Sequence, residues 1–389
     1  MGPEFETVGF DRLQVRGFRR LQNIDLPLRP FNVLIGANGV GKTSILEVID
    51  LLAASADGVL EQTISKWGGI SSLLTADEKT DTMRLTLHKP IFNEQPIVYS
   101  LDISSEGNGF VISHEEMTQK QRQLNPFAFI RGNGAIIEYY RDGSKKPERP
   151  NWEYKRLETA LSQVPKMYRK PESFRHLLAS STEIYHALDV SNRAPVRLPQ
   201  SMQPARTPGI DGEDLLSCLY VMRETERERF DAVEDALRAA FPTFRRIELP
   251  PVAAGSLTLA WRDSRFSKPI FPHQLSEGTL RFLWLVTLLQ STDLPAVTLI
   301  DEPEVSLHPE MLQLLAELMR EASSRTQLIV ATHSDRFVKF LQPDELVVCD
   351  LDDEGGTLVR RASEFDLEQW MKDYSLDQLW SMGRIGGRS

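Results

Sequence analysis

The stretch Asn32 to Glu47, NVLIGANGVGKTSILE, decides the fold. An apolar run, Phe31 with Val33, Leu34 and Ile35, stops at Gly36, and a glycine-rich turn follows. Lys42-Thr43 then opens a segment whose apolar residues Ile45, Leu46, Val48 and Ile49 recur at helical spacing. Strand, loop and helix in that order, with Gly36, Gly41, Lys42 and Thr43 filling G-x-x-x-x-G-K-[ST], is the sequence form of a phosphate-binding loop. Glycines at 36, 39 and 41 let backbone N–H groups point inward, and together with the helix N-terminus these make a site for a polyphosphate. Lys42 is placed to neutralise phosphate charge, and the Thr43 hydroxyl to ligate Mg²⁺. An α/β fold follows.

Two later strands end in chemistry of the same kind. Val297 to Ile300 is an apolar run closing on Asp301-Glu302. Open α/β sheets bind ligands at the carboxyl ends of their strands, so Asp301 can orient a metal held by Thr43 and Glu302 can polarise an attacking water. Successive residues of a strand face opposite ways, which lets neighbouring acids divide the work. His333 follows the run Leu328 to Ala331, where its imidazole can reach a terminal phosphate. Ser276, in the segment Leu275 to Arg281 (LSEGTLR), is an N-cap for the helix Leu280 to Leu289, with Gly278 in its first turn.

The totals fit an ordinary globular protein of 389 residues, 41% hydrophobic and 26% charged. Cys218 and Cys349 are far apart and lack metal-ligand spacing, which argues against a disulfide framework or zinc site. The longest apolar run, Phe282 to Leu289, is too short to span a bilayer, so no membrane partner and a cytoplasmic location are expected. The net charge of -10 is unevenly spread. From Gln119 to Arg206 there are 16 Lys plus Arg against 8 Asp plus Glu, leaving +8 there and -18 elsewhere. A polyanion should therefore meet the middle of the chain, where Lys145, Lys146, Arg149, Lys155 and Arg156 cluster.

Three regions are expected. Residues 6–118 form a lobe carrying the phosphate loop and an antiparallel β subdomain, with strands near 83–87, 96–103 and 109–114. Residues 119–210 form a basic, mostly helical insertion with a helix over 151–163, cut by prolines beyond it. Residues 211–389 form a helical segment and a second lobe. That lobe ends in a hairpin over 346–361, where Gly355-Gly356 makes a turn a better reading of Asp350, Asp352, Asp353 and Glu354 than a metal nuclease site, and an amphipathic helix over 363–380.

The motif set resembles an ABC-type ATPase of the SMC/RecF/OLD-like group. In that resemblance Gly36 to Ser44 is the Walker A segment, Leu275 to Arg281 the signature, Leu299 to Glu304 Walker B, Ser306 to Pro309 the D-loop and His333 the switch histidine. It implies ATP and Mg²⁺ as ligands. Asn38, Gly39, Gly41, Lys42, Thr43 and Ser44 would hold the nucleotide, Thr43 and Asp301 the metal, and Glu302 and His333 would serve hydrolysis. It further implies a head-to-tail dimer, or a higher oligomer, in which Ser276 and Gly278 contact nucleotide on the other subunit. The signature departs from the transporter SGGQ, and Gln62 is a weak candidate for the Q-loop glutamine. Similar proteins of the OLD and Septu type belong to anti-phage systems. Only 56 residues follow His333, which implies a separate effector such as a nuclease, with DNA or RNA as a further partner. A DNA-repair ATPase, a nucleotide-gated scaffold and a transporter ATPase subunit are the alternatives.

Overall fold

In the computed structural model the described residues are 9–77, 79–121, 125–141, 144, 146–179, 182–253, 255–365 and 374–383. The central sheet comprises β10 (Thr182–Tyr185), β15 (Val297–Asp301), β16 (Gln327–Thr332), β3 (Phe31–Ile35), β17 (Leu346–Leu351) and β18 (Thr357–Arg361), in that spatial order. All neighbours pair in parallel except the hairpin β17–β18. Its inner strands are buried on both faces, as parallel sheets covered on two sides must be.

Alternation along these strands feeds two cores. Val33, Ile35, Leu328, Val330, Leu346 and Val348 face one cluster. Its helices are α4 (Leu215–Thr225), α5 (Arg227–Ala240), α6 (Glu277–Gln290), α7 (Pro309–Ala322), α8 (Asp335–Val338) and α9 (Leu376–Ser381). Two short antiparallel pairs complete this side: β11 (Gln200–Ser201) with β13 (Ser256–Leu257), and β12 (Phe244–Glu248) with β14 (Ala260–Asp263).

Leu34, Leu299, Ile329, Ala331, Val347 and Cys349 face the other core, formed with α1 (Lys42–Asp57), α3 (Arg169–Ala179) and an eight-stranded antiparallel sheet. That sheet runs β2 (Leu21–Pro27), β1 (Arg12–Phe18), β4 (Thr82–Ile91), β5 (Glu94–Glu106), β6 (Gly109–Gln119), β7 (Phe127–Gly132), β8 (Ile137–Tyr140), β9 (Pro147–Glu148). Helix α2 (Leu60–Lys66) packs on α1. Among the described residues no helix is long and apolar enough to cross a membrane.

The mixed α/β class and the antiparallel subdomain are as expected, but residues 119–210 are built differently from a helical insertion. They supply β7 to β9 to the antiparallel sheet and β10 to the central sheet, with α3 between. No helix forms over 151–163. Leu157, Ala160, Leu161 and Val164 do recur at i, i+3, i+4 and i+7, but polar side chains bind the backbone instead. Gln163 bonds the Lys155 N–H at 2.8 Å, and the Glu158 carboxylate accepts the Leu60 N–H at 3.0 Å, capping α2. The expected tail helix is realised over Leu376–Ser381 and as a 3-10 turn over Ala362–Glu364; 366–373 lie outside the described residues.

Candidate functional site

The site is assembled at the carboxyl ends of β3, β15, β16 and β10. Gly36 ends β3 with its Cα against the Cys349 carbonyl, where a Cβ would collide. Gly41 has a φ of 102° and caps α1, whose first turn carries no acidic side chain to cancel its positive end. A Cβ on Gly41 would sit 2.6 Å from the Thr357 hydroxyl, which donates to the Val40 carbonyl at 2.8 Å. The loop is thus clamped from β18. Asn38 and Gly39 are exposed on its outer rim, Thr43 is exposed and Ser44 half-buried.

Lys42 is buried, and its ammonium donates to the carbonyls of Gly36 (2.9 Å) and Ala37 (2.8 Å). Burial lowers its pKa, opposed by Cys349 and by the carboxylates of Glu302, Asp301 and Glu304. A cation held inside its own loop and facing three carboxylates is poised for an anionic ligand.

Thr43 donates its hydroxyl to Asp301 at 3.3 Å. Among the described residues no group of three acids, histidines or cysteines could hold a metal alone. A hydroxyl with one carboxylate therefore fits Mg²⁺ of the kind that takes its other ligands from phosphates and water. Glu302 has a left-handed backbone (φ 52°), fixed by its N–H to the Ala331 carbonyl at 2.8 Å, and its carboxylate lies 2.9 Å from His333 Nδ1. Glu304, buried beneath, accepts the Thr332 hydroxyl, and burial raises its pKa.

Ser276 caps α6, its hydroxyl accepting the Thr279 N–H at 3.1 Å. Gly278 packs on the Ser306 carbonyl with no room for a Cβ. Arg281 donates to the Leu188 carbonyl at 3.1 Å and to the Ser306 hydroxyl at 2.8 Å. Arg197 donates to the carbonyls of Val190 (2.7 Å), Pro272 (2.7 Å) and Leu275 (3.2 Å). The signature turn is therefore fastened to the loop that follows β10. Thr43 with Asp301, and Glu302 with His333, come together within the chain; among the described residues no hydrogen bond joins Ser276 or Gly278 to the phosphate loop.

Sequence reasoning missed His186. It follows β10 and lies 3.8 Å from Asp301, whose carboxylate raises the imidazole pKa. The signal was faint: a histidine closing a four-residue run, Thr182 to Tyr185, that shows no apolar alternation. Gln62 is instead exposed on α2.

A glycine loop opening a helix, a carboxylate-tipped strand two places away and a histidine-tipped strand between them define the P-loop ATPase fold. The chain belongs to the family described as "AAA domain, putative AbiEii toxin, Type IV TA system", which matches residues 31–339. It is 22% identical to the OLD nuclease of Thermus scotoductus over 399 aligned residues, covering 97% of this chain and 67% of that protein. A local similarity, 62% over 39 residues, links it to the DNA replication and repair protein RecF of Citrobacter koseri, and covers 11% of that protein. The fold matches an SMC head crystallised with the C-terminal winged-helix domain of ScpA (TM-score 0.55, 16% identity, 93% of this chain and 99% of that one). It also matches an SMC head with an extended coiled coil, bound to the C-terminal domain of ScpA from Pyrococcus furiosus (TM-score 0.55, 15% identity, 93% and 98%).

Proposed function

We propose that the chain binds and hydrolyses ATP with Mg²⁺, and that two copies close head to tail around nucleotide to control a separate effector acting on nucleic acid in anti-phage defence. The observation that carries this reading is the pairing of Thr43 with Asp301 and of Glu302 with His333 at one sheet edge. In it Lys42 and the loop N–H groups of Gly39, Gly41, Lys42, Thr43 and Ser44 hold the phosphates, with Asn38 at the rim. Thr43 and Asp301 hold the metal, which supplies charge neutralisation of the phosphates when bound. Glu302 orients and deprotonates the attacking water, and His333 fixes the Glu302 carboxylate. Ser276 and the α6 N-terminus, unengaged with their own loop, complete the partner's site.

The similarity to OLD nuclease along nearly the whole chain supports the defence reading. The local RecF similarity favours the second reading, a DNA-repair ATPase. Glu302→Gln tests the chemistry: phosphate release falls at least about 100-fold while ATP binding persists. Turnover at the wild-type rate in that variant would refute the assignment.

A further inference from the structure

Six of the sixteen cations in the middle of the chain are spent internally. Arg131 pairs with Glu116 (2.8 Å), Arg141 with Glu148 (2.6 Å), Arg149 with Glu138 (2.9 Å), Lys170 with Glu94 (2.9 Å), Arg175 with Glu172 (2.9 Å) and Arg206 with Asp293 (2.6 Å). Arg149, counted in the sequence among the phosphate-seeking cations, is thereby neutralised, and Lys145 lies outside the described residues. Lys120, Lys146, Lys155, Arg156, Lys166, Arg169 and Arg193 are exposed, and none has an ion-pair partner among the described residues; four of them, Lys155, Arg156, Lys166 and Arg169, come from two neighbouring segments.

The fold gathers these four. The Gln163 side chain bonds both the N–H (2.8 Å) and the carbonyl (3.1 Å) of Lys155, which folds 152–156 back beside 163–169. Tyr139 of β8 anchors both arms. Trp152 stacks on it with centroids 6.2 Å apart and planes at 19°, and Tyr168 lies 5.1 Å away, flanked by Lys166 and Met167 on one side and Arg169 on the other. Trp152 remains 41% exposed and Met167 57%. Carboxylates are near as well: Glu153 is exposed, Glu148 accepts the Tyr168 hydroxyl at 2.8 Å, and Glu172 and Glu158 feel the charges of Lys166 and Lys155.

We infer that this edge of the antiparallel sheet binds single-stranded nucleic acid, with Trp152 stacking on a base and Lys155, Arg156, Lys166 and Arg169 contacting phosphates. The inference rests on the reading of the protein as an ATPase acting on nucleic acid. Unpaired cations beside an exposed indole are the combination that single strands select, because their bases present free π-faces. A duplex hides those faces in its stack, so it would use the cations alone. The charge outside residues 119–206 sums to -18, which repels a polyanion from the remaining surface and favours this one.

The test uses the full chain and a labelled oligothymidylate, its RNA counterpart and a duplex of equal length, read by fluorescence anisotropy across a salt series. Wild type should bind a single strand more tightly than the duplex. Reversing Lys155, Arg156, Lys166 and Arg169 to Glu together should cost at least about 100-fold in affinity and flatten the salt slope by about 3, at roughly 0.7 per phosphate contact. Trp152→Ala should weaken single-strand binding about tenfold and leave that slope unchanged. ATP turnover of each variant reports an intact fold. Wild-type affinity in both variants would overturn the surface while leaving nucleic-acid binding elsewhere intact. Preference for the duplex would overturn the stacking role, and no binding by wild type to any probe would overturn the surface and the nucleic-acid reading together.

Discussion

Replacing Thr357 with valine should weaken nucleotide binding from a position 317 residues away from the loop it acts on. Thr357 is 3% exposed, and its hydroxyl is a 2.8 Å donor to the Val40 carbonyl, immediately before Gly41. Valine keeps the shape and removes the donor, so the packing against Gly41 survives while the Val40 carbonyl is stranded. A buried polar group left unpaired costs about 1–3 kcal/mol. If that penalty falls on the loop geometry, the Kd for ATP rises about 5- to 150-fold, at about 1.4 kcal/mol per tenfold. Calorimetric titration with ATP at saturating Mg²⁺ measures it, with a thermal melt run beside it, and Thr357→Ser should restore affinity. Valine binding ATP within twofold of wild type, with an unchanged melt, would refute the clamp.

Two further perturbations follow from the same geometry. Arg281→Met keeps the aliphatic stem and removes the bonds to Leu188 and Ser306; it should lower kcat roughly tenfold at unchanged single-chain ATP affinity, at about 1–1.5 kcal/mol for neutral-acceptor bonds. A wild-type kcat would show that the signature turn holds its place without Arg281. Glu115 is buried in β6, accepts the Ala160 N–H at 2.6 Å and the Leu161 N–H at 2.8 Å, and is pushed up to about 7 from an ordinary 4.5, chiefly by burial. The folded chain therefore holds this proton more tightly than the unfolded one, so the contribution is complete below about pH 4.5 and is lost as pH rises through 7, at most about 3 kcal/mol. Denaturation midpoints compared between wild type and Glu115→Gln from pH 5 to pH 8 should lie closest at the acid end and separate toward pH 8, where only the wild type ionises. Parallel profiles would contradict that linkage.

What could be read from the sequence is what is local. Gly36 to Thr43 is contiguous, and its strand, turn and helix are each specified by neighbours, so β3 and α1 stand where the pattern put them. Asp301, Glu302 and His333 were legible because each ends an apolar strand, and parallel strands in one sheet bring their carboxyl ends to a common edge. His186 escaped because β10 is four residues long and follows a helix in a proline-interrupted region, where no periodicity announces a strand. Thr357, Arg197 and Arg281 act through carbonyls supplied by distant segments, and no sequence pattern encodes which carbonyl a side chain will meet. The false helix over 151–163 has the complementary cause: its apolar spacing is real, but Gln163 and Glu158 pay their hydrogen bonds to other backbone groups. The basic character of 119–206 was visible as a total, whereas which of its cations stay unpaired depends on ion pairs made across strands.

The sharing of each nucleotide between two copies is the central claim, and light scattering on the Glu302→Gln chain at saturating ATP and Mg²⁺ tests it most directly. The account predicts a mass twice the 44.2 kDa of one chain, reverting to a single chain when Ser276→Arg is added. A mass of 44.2 kDa with ATP bound would contradict it.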